Sequence, residues 1–320
     1  MSVAELSSRA IVGMYYEALD AATAAGWGDL IANLFTSDQD SETYKWLGMS
    51  PMLREWVGGR NAKGFLVNGI TIENKHYEAT LELAVKDIRR DKTGQIQIRV
   101  GELADRAVEH WADLLSTLLL NGGSTICYDG QYFFDTDHVE GASGTQSNAL
   151  TFTISTDVPV PSDYKGSTTS PGPDVMAAAI RKAIQQILGF KDDQGQPMNA
   201  NAKSFVVMVP IGLMGDALDA VNAMVGTQGK TNPIKTLQDQ GFSIQVAVNP
   251  RLTWTNKFAV LRTDGRVKPL IRQQETPPMM KAKAEGSEYE FDNDAWQFGV
   301  DTWRNVGYGL WQHACQVTFA

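Results

Sequence analysis

Apolar residues recur every third or fourth position in some stretches of the chain and every second position in others. Near the start, Ile11, Met14, Tyr15, Leu19 and Ala22 keep the helical spacing, which predicts a helix over residues 4–35, weakened at Gly26 and Gly28. The clearest helix is expected over 98–120. There Leu103, Ala107, Val108, Trp111, Leu114, Leu115 and Leu118 form an apolar stripe, while Glu102, Asp105, Glu109 and Asp113 run along another face. Asn121-Gly122-Gly123 closes it with residues that accept left-handed backbone. A further amphipathic helix is expected over 173–189, with Pro173 at its start.

Alternation predicts the strands. Leu66, Ile70 and Ile72, a polar group at 73–76, and then Tyr77, Ala79, Leu81, Leu83 and Val85 read as a β-hairpin over 62–90. Both Asn68-Gly69 and Asn74-Lys75 offer turn chemistry for it. Residues 122–172 are rich in Gly, Ser, Thr and Pro around a short strand at 150–155. A strand–helix–strand unit follows at 205–209, 212–225 and 242–248, with another strand at 258–262. Beyond 287, Tyr289 and Phe291, Trp296 and Phe298, and Cys315, Val317 and Phe319 alternate with polar neighbours, so β structure is expected to the end. Mixed but unrepeated elements imply an α+β chain.

Composition narrows the classes. With 320 residues and 43% hydrophobic content, the chain can bury one large core or two smaller ones. A formal net charge of −9 opposes phosphate backbones and anionic membranes. The densest basic group, Lys86, Arg89, Arg90 and Lys92, is interrupted by Asp87 and Asp91 and reads as a loop rather than a nucleic-acid groove. The first 27 residues carry Glu5, Arg9, Glu17 and Asp20 and lack the pattern of a signal peptide. The most apolar stretch, 205–214, contains Pro210 and is too short to span a bilayer.

Chemistry-bearing motifs are sparse. Asp135-Thr136-Asp137-His138 has residue types that suit a divalent metal or acid–base work, and a metal-dependent hydrolase is the enzymatic reading of it. In a Gly/Ser-rich loop such residues more often cap turns. Gly229-Lys230-Thr231 lacks the earlier glycine of a P-loop, that position being Met224. Cys127 and Cys315 show no metal-ligand spacing and are expected as reduced thiols, and His76, His110 and His313 are isolated. No catalytic, cofactor or metal site is therefore expected.

The run Trp46-Leu47-Gly48-Met49-Ser50-Pro51, followed by Leu53-Arg54-Glu55-Trp56 and Gly59-Arg60, resembles the major head (major capsid) proteins of Mu-like bacteriophages. Phe133-Phe134-Asp135-Thr136-Asp137-His138 and Arg304-Asn305-Val306-Gly307-Tyr308-Gly309-Leu310-Trp311-Gln312 resemble the same family, so the likeness runs through nearly the whole chain. It implies the tailed-phage major capsid fold, shared with encapsulins. On that plan residues 1–55 are an N-terminal arm and 56–92 an extended hairpin loop. Residues 93–189 form a peripheral domain with a spine helix at 98–120, 190–287 an axial domain, and 288–320 strands returning to the peripheral domain.

The resemblance implies a structural, non-enzymatic protein of the virion, assembled in the host cytoplasm. Pentamers and hexamers of it would close an icosahedral head around double-stranded DNA without sequence-specific binding. The implied partners are further copies of the chain, a portal protein, a decoration protein and a separate scaffolding protein. The last follows because the arm-like sequence begins almost at Met1, which also implies little N-terminal trimming. An encapsulin-like compartment is the alternative, and a tail or minor structural protein a further one. Between subunits, Lys86, Arg89, Arg90 and Lys92 are expected to face Glu102, Asp105, Glu109 and Asp113 of an adjacent spine helix; the competing expectation is intrachain or solvated charge.

Overall fold

Two hydrophobic cores organise the chain in a computed structural model that describes residues 7–22, 26–45, 69–91, 94–157, 165–226, 229 and 231–320. Helix α1 (Ser8–Ala21) begins where the Ser7 hydroxyl accepts from the Ala10 N–H at 3.3 Å. Its inner face carries Ile11 and Tyr15, both fully buried, and it packs on the chain's own long helix, α4 (Gln95–Leu120). The expected helix to residue 35 stops sooner. After α2 (Trp27–Ile31) the backbone extends as β1 (Ala32–Thr36), which pairs in parallel with β11 (Leu270–Lys283). That partner is remote in sequence, so nothing local announces the strand.

A four-stranded sheet has the order β1-β11-β12-β4, where β4 is Lys75–Ala84 and β12 is Ala295–Tyr308. Both β11 and β12 have 14 residues, so each extends about 46 Å. Pro277 and Pro278 lie inside β11, within the register shifts between Gln274 and Met279. Proline cannot donate to a ladder, so it is tolerated in a strand at such an irregularity.

Among the described residues of the hairpin expected over 62–90, the strands do not pair with each other; residues 62–68 lie outside the described residues. Strand β3 (Ile70–Glu73) pairs with β2 (Ser41–Tyr44), and β4 pairs with β12. The alternating segments are strands, but their partners are distant rather than each other, and Val85–Arg90 coils into helix α3 instead of extending the strand. Close approach fastens β3 to the larger sheet: the Ile72 side chain occupies the space where a Cβ on Gly307 would stand. Residues 46–68, with the family-like run at 46–60, lie outside the described residues.

Helix α4 starts three residues before its expected start, because the Asp91 carboxylate accepts from the N–H groups of Gln95 (3.2 Å) and Ile96 (3.0 Å). Its deepest line is Ile96, Val100, Ala104, Ala112, Leu115, Ser116 and Leu119. Of the expected stripe only Leu115 is fully buried, and the others are half-buried along the neighbouring edge.

The second sheet has the order β5-β13-β10-β8-β9: Ala149–Phe152, Ala314–Phe319, Lys257–Arg262, Ser204–Val209 and Ser243–Val248. Helix α5 (Ile154–Asp157) and the short pair β6 (Gly166–Ser167) and β7 (Ser170–Pro171) lead into α6 (Pro173–Gly189), which packs across β10 and β13. The strand–helix–strand unit is present, with α7 (Met214–Asn222) between the parallel β8 and β9. A second crossover helix, α8 (Pro233–Asp239), was unsignalled by periodicity and is capped by Asn232. Strand β8 is buried on both faces from Phe205 to Val209, as a central strand must be.

Two further expectations change. Residues 288–293 form a short helix, α9 (Glu288–Asn293), not a strand: Ser287 caps it and Asp294 ends it in the left-handed region at φ 48°. The terminal segment 288–320 also does not return to one sheet. Strand β12 belongs to the four-stranded sheet and β13 to the five-stranded one.

Candidate assembly surface

The two charge groups expected to meet between subunits both lie at the surface. Lys86, Arg89 and Arg90 are exposed on α3, whereas Lys92 lies outside the described residues. On α4, Glu102, Asp105 and Asp113 are exposed and Glu109 is half-buried. Much of the acidic stripe is already answered within the chain. Arg99 reaches Glu102 at 3.0 Å, Arg106 reaches Glu109 at 3.3 Å, and Arg251 spans Glu109 (3.3 Å) and Asp113 (3.7 Å). Asp105 forms no ion pair with the described residues. Exposed pairs of this kind contribute roughly 0–1 kcal/mol each. Glu102, Asp105 and Glu109 of the stripe, with Arg99 and Arg106 and the β4 residues Thr80 and Leu81, line an open groove of about 630 Å³ between α4 and β4.

Beneath that face lies a group that sequence reasoning missed. Arg304 on β12 is 2% exposed, and its guanidinium donates from Nε to His110 Nδ1 (3.0 Å) and from an Nη to the Ala107 carbonyl (2.6 Å). Its plane lies 4.8 Å from the centre of the Trp111 ring, while Arg272 approaches the same ring at 5.6 Å. Arg272 is neutralised by Asp29 at 2.6 Å; Arg304 has no ion pair with any described carboxylate. Burial lowers the Arg304 pKa to about 10, and burial together with the adjacent guanidinium lowers His110 to about 4.

The two described family-like motifs, remote in sequence, meet in one junction. Phe133 stacks on Tyr308 with ring centres 4.5 Å apart, and His138 stacks on Trp311 at 3.9 Å. Asn148 ties them, since its Nδ2 donates to the carbonyls of Phe133 (2.7 Å) and Trp311 (3.3 Å). With Nδ2 so used, its Oδ1 accepts from the Asp135 N–H (2.8 Å) and from His138 Nε2 (3.3 Å). The other ring nitrogen, Nδ1, lies 2.6 Å from Asp129 Oδ2. Burial raises the Asp129 pKa, but hydrogen bonds from His138, Cys127 and the Gln131 N–H outweigh it and hold the carboxyl below its ordinary value.

Asp135, Asp137 and His138 do not converge. Asp135 accepts from the Tyr132 and Thr136 N–H groups, Asp137 is exposed, and His138 is buried and turned towards Asp129. Cys127 and Cys315 are free and buried.

A family model described as Mu-like prophage major head subunit gpT matches residues 7–157 and 237–319. The Mu-like prophage FluMu major head subunit of Haemophilus influenzae is 39% identical over 127 residues, which are 40% of this chain and 41% of that protein. The major capsid protein of Escherichia phage Mu is 37% identical over 108 residues, 34% of this chain and 35% of that protein. The aligned stretches thus span well under half the length of these curated relatives.

Three solved structures share the architecture. The procapsid of bacteriophage JBD30 superposes with a TM-score of 0.55 at 23% identity, covering 96% of this chain and 72% of that chain. The JBD30 capsid decorated with minor capsid protein trimers gives 0.50 at 18% identity, covering 92% and 65%. The virus-like particle from Pyrococcus furiosus gives 0.53 at 10% identity, covering 96% and 97%. At these identities the likeness establishes the fold, an α+β architecture common to tailed-phage capsid subunits and that particle.

Proposed function

The chain belongs to the Mu-like prophage major head subunit family, and from that premise we propose that it builds the icosahedral head of a tailed phage by self-association. The observation that carries this reading is the reach of the family match. It includes β4, α4, β11 and β12, with the charged groove and buried Arg304, and also both halves of the aromatic junction. The likeness to the Pyrococcus furiosus particle is one of fold alone, so the family match favours a phage head over a cellular compartment.

The proposed mechanism is assembly rather than chemistry. A sheet with strands of about 46 Å flanked by α4 presents more edge and face than one subunit can cover, including Phe291, which is 91% exposed on α9. Covering such surfaces on neighbouring copies supplies apolar burial, while the exposed basic helix α3 and the charged groove fix register more than affinity. Many weak contacts acting together then close pentamers and hexamers into a shell.

The net charge of −9 suits a container whose DNA must slide during packaging, because a strongly basic lining would hold phosphates by counterion release. A scaffolding protein and a portal complete the proposed partner set. A decoration protein joins it by analogy with the minor capsid protein trimers on the JBD30 capsid.

Electron microscopy of the purified chain, with and without a co-expressed scaffolding protein, tests the reading. Closed shells or capsomers are the expected result. A chain that remains monomeric under both conditions, and is absent from virions, would overturn it.

A further inference from the structure

The irregular segment between α4 and β5 holds three groups of metal-ligand type in one place. The Cys127, Asp129 and His138 ligand atoms all lie within 4.8 Å of one another. Cys127 Sγ is 3.0 Å from Asp129 Oδ1, and His138 Nδ1 is 2.6 Å from Asp129 Oδ2. The His138 ring is fully buried and Cys127 is 5% exposed, so water competes weakly for these atoms.

We propose that Cys127, Asp129 and His138 form a zinc site that fastens the 121–148 segment to the aromatic junction. One thiolate, one imidazole nitrogen and one carboxylate oxygen are the donor types zinc takes, at about 2.0–2.3 Å. The ligand atoms around such an ion stand roughly 3–4 Å apart, so the two short contacts open by no more than about 1 Å. The ion takes the place of the two protons now shared with Asp129, one from the thiol and one between carboxylate and ring, and both leave to solvent.

The surrounding groups fix the orientation of the imidazole and of the carboxylate. Asn148 Oδ1 accepts from Nε2 of His138, which leaves Nδ1 as the ligating nitrogen, and Asn148 is itself locked by the Phe133 and Trp311 carbonyls. The Gln131 N–H, 3.1 Å from Asp129 Oδ1, orients the carboxylate. Trp311 stacked on the ring fixes its plane. The spacing 127, 129 and 138 matches no common zinc motif, which is why the sequence pointed away from a metal.

The site rests on the geometry of this segment and not on the head-building role, so it is tested on the purified full-length chain before any assembly. Cobalt(II) serves as the spectroscopic probe and zinc is measured by elemental analysis. The wild-type chain should bind one equivalent of zinc and show a cobalt–thiolate charge-transfer band that a chelator removes. Cys127→Ser keeps a hydroxyl to donate to Asp129 and should lose both signals with its circular dichroism unchanged. Cys315→Ser, a buried thiol outside the cluster, should retain them. No thiolate band in the wild-type chain at excess cobalt, or a band that survives Cys127→Ser, would overturn the proposal. The wild-type measurement decides the matter even where a variant fails to fold.

Discussion

Arg304 brings a positive charge under helix α4, where among the described residues it meets neutral acceptors and the face of Trp111. Removing it takes one donor each from the Ala107 carbonyl and His110 and opens space beside the ring. Arg304→Ala is therefore expected to cost about 2–4 kcal/mol in urea unfolding, with Arg304→Lys intermediate because an ammonium cannot reproduce both directed bonds. The same neighbourhood sets a pH window. His110 and His313 are each held to about 4, by burial first and then by Arg304 and Arg262 respectively. A depressed histidine favours the folded state fully above the unfolded value of about 6.5. As pH falls from there towards 4, the unfolded chain takes up protons that the folded chain refuses, and stability drops. Allowing for the partial exposure of His110, the loss should total roughly 1–3 kcal/mol. Urea midpoints between pH 7 and 4.5 measure it, and His110→Gln should flatten part of the slope. None of this was legible in sequence, where His110 and His313 stood isolated and Arg304 was one member of a family-like run.

At the scale of elements, period and length were readable while partnership was not. Helix α6 stands at its expected bounds because its apolar face and its starting proline agree. Helix α4 was found too, but its burial line lies beside the expected stripe, since the flanking elements, not the helix alone, decide which edge is deepest. The pairing expected within 62–90 is absent among the described residues for a similar reason. Alternation marks a strand with one covered face, but it does not say which strand supplies the edge. Contact between β3 and β12 can be tested directly. Gly307→Ala should cost about 1–3 kcal/mol by forcing a Cβ into Ile72. Combined with Ile72→Ala it should cost less than the sum of the single changes by at least about 0.5 kcal/mol, and additivity would show that the contact does not matter. Strand β11 escaped notice because Pro277 and Pro278 argue against a strand until the register shifts that accommodate them are seen.

For the whole molecule, the question is which surfaces serve neighbouring copies. Arg89→Glu with Arg90→Glu alters two exposed side chains in the last turn of α3, so monomer stability should move by no more than about 2 kcal/mol. Assembly yield, read by sedimentation or microscopy, should fall, and most steeply at low salt, where exposed charges are least screened. Undiminished shells from the double variant would end the idea of charge register and leave apolar covering as the main contact. Glu102, Glu109 and Asp113 already hold arginine partners within the chain, which narrows the contribution a neighbour can add.

From the sequence alone came the α+β class, the longer helices, several of the strand-forming segments and the family, because these depend on local periodicity and on residue runs read without coordinates. The tertiary structure alone decided that β4 joins β12, that the last segment divides between two sheets, and that Phe133 and His138 stack on Tyr308 and Trp311. It also decided that Cys127, Asp129 and His138 converge. Pairing and convergence follow from burying surface against segments far away along the chain, and a local pattern carries the need for a partner without its address.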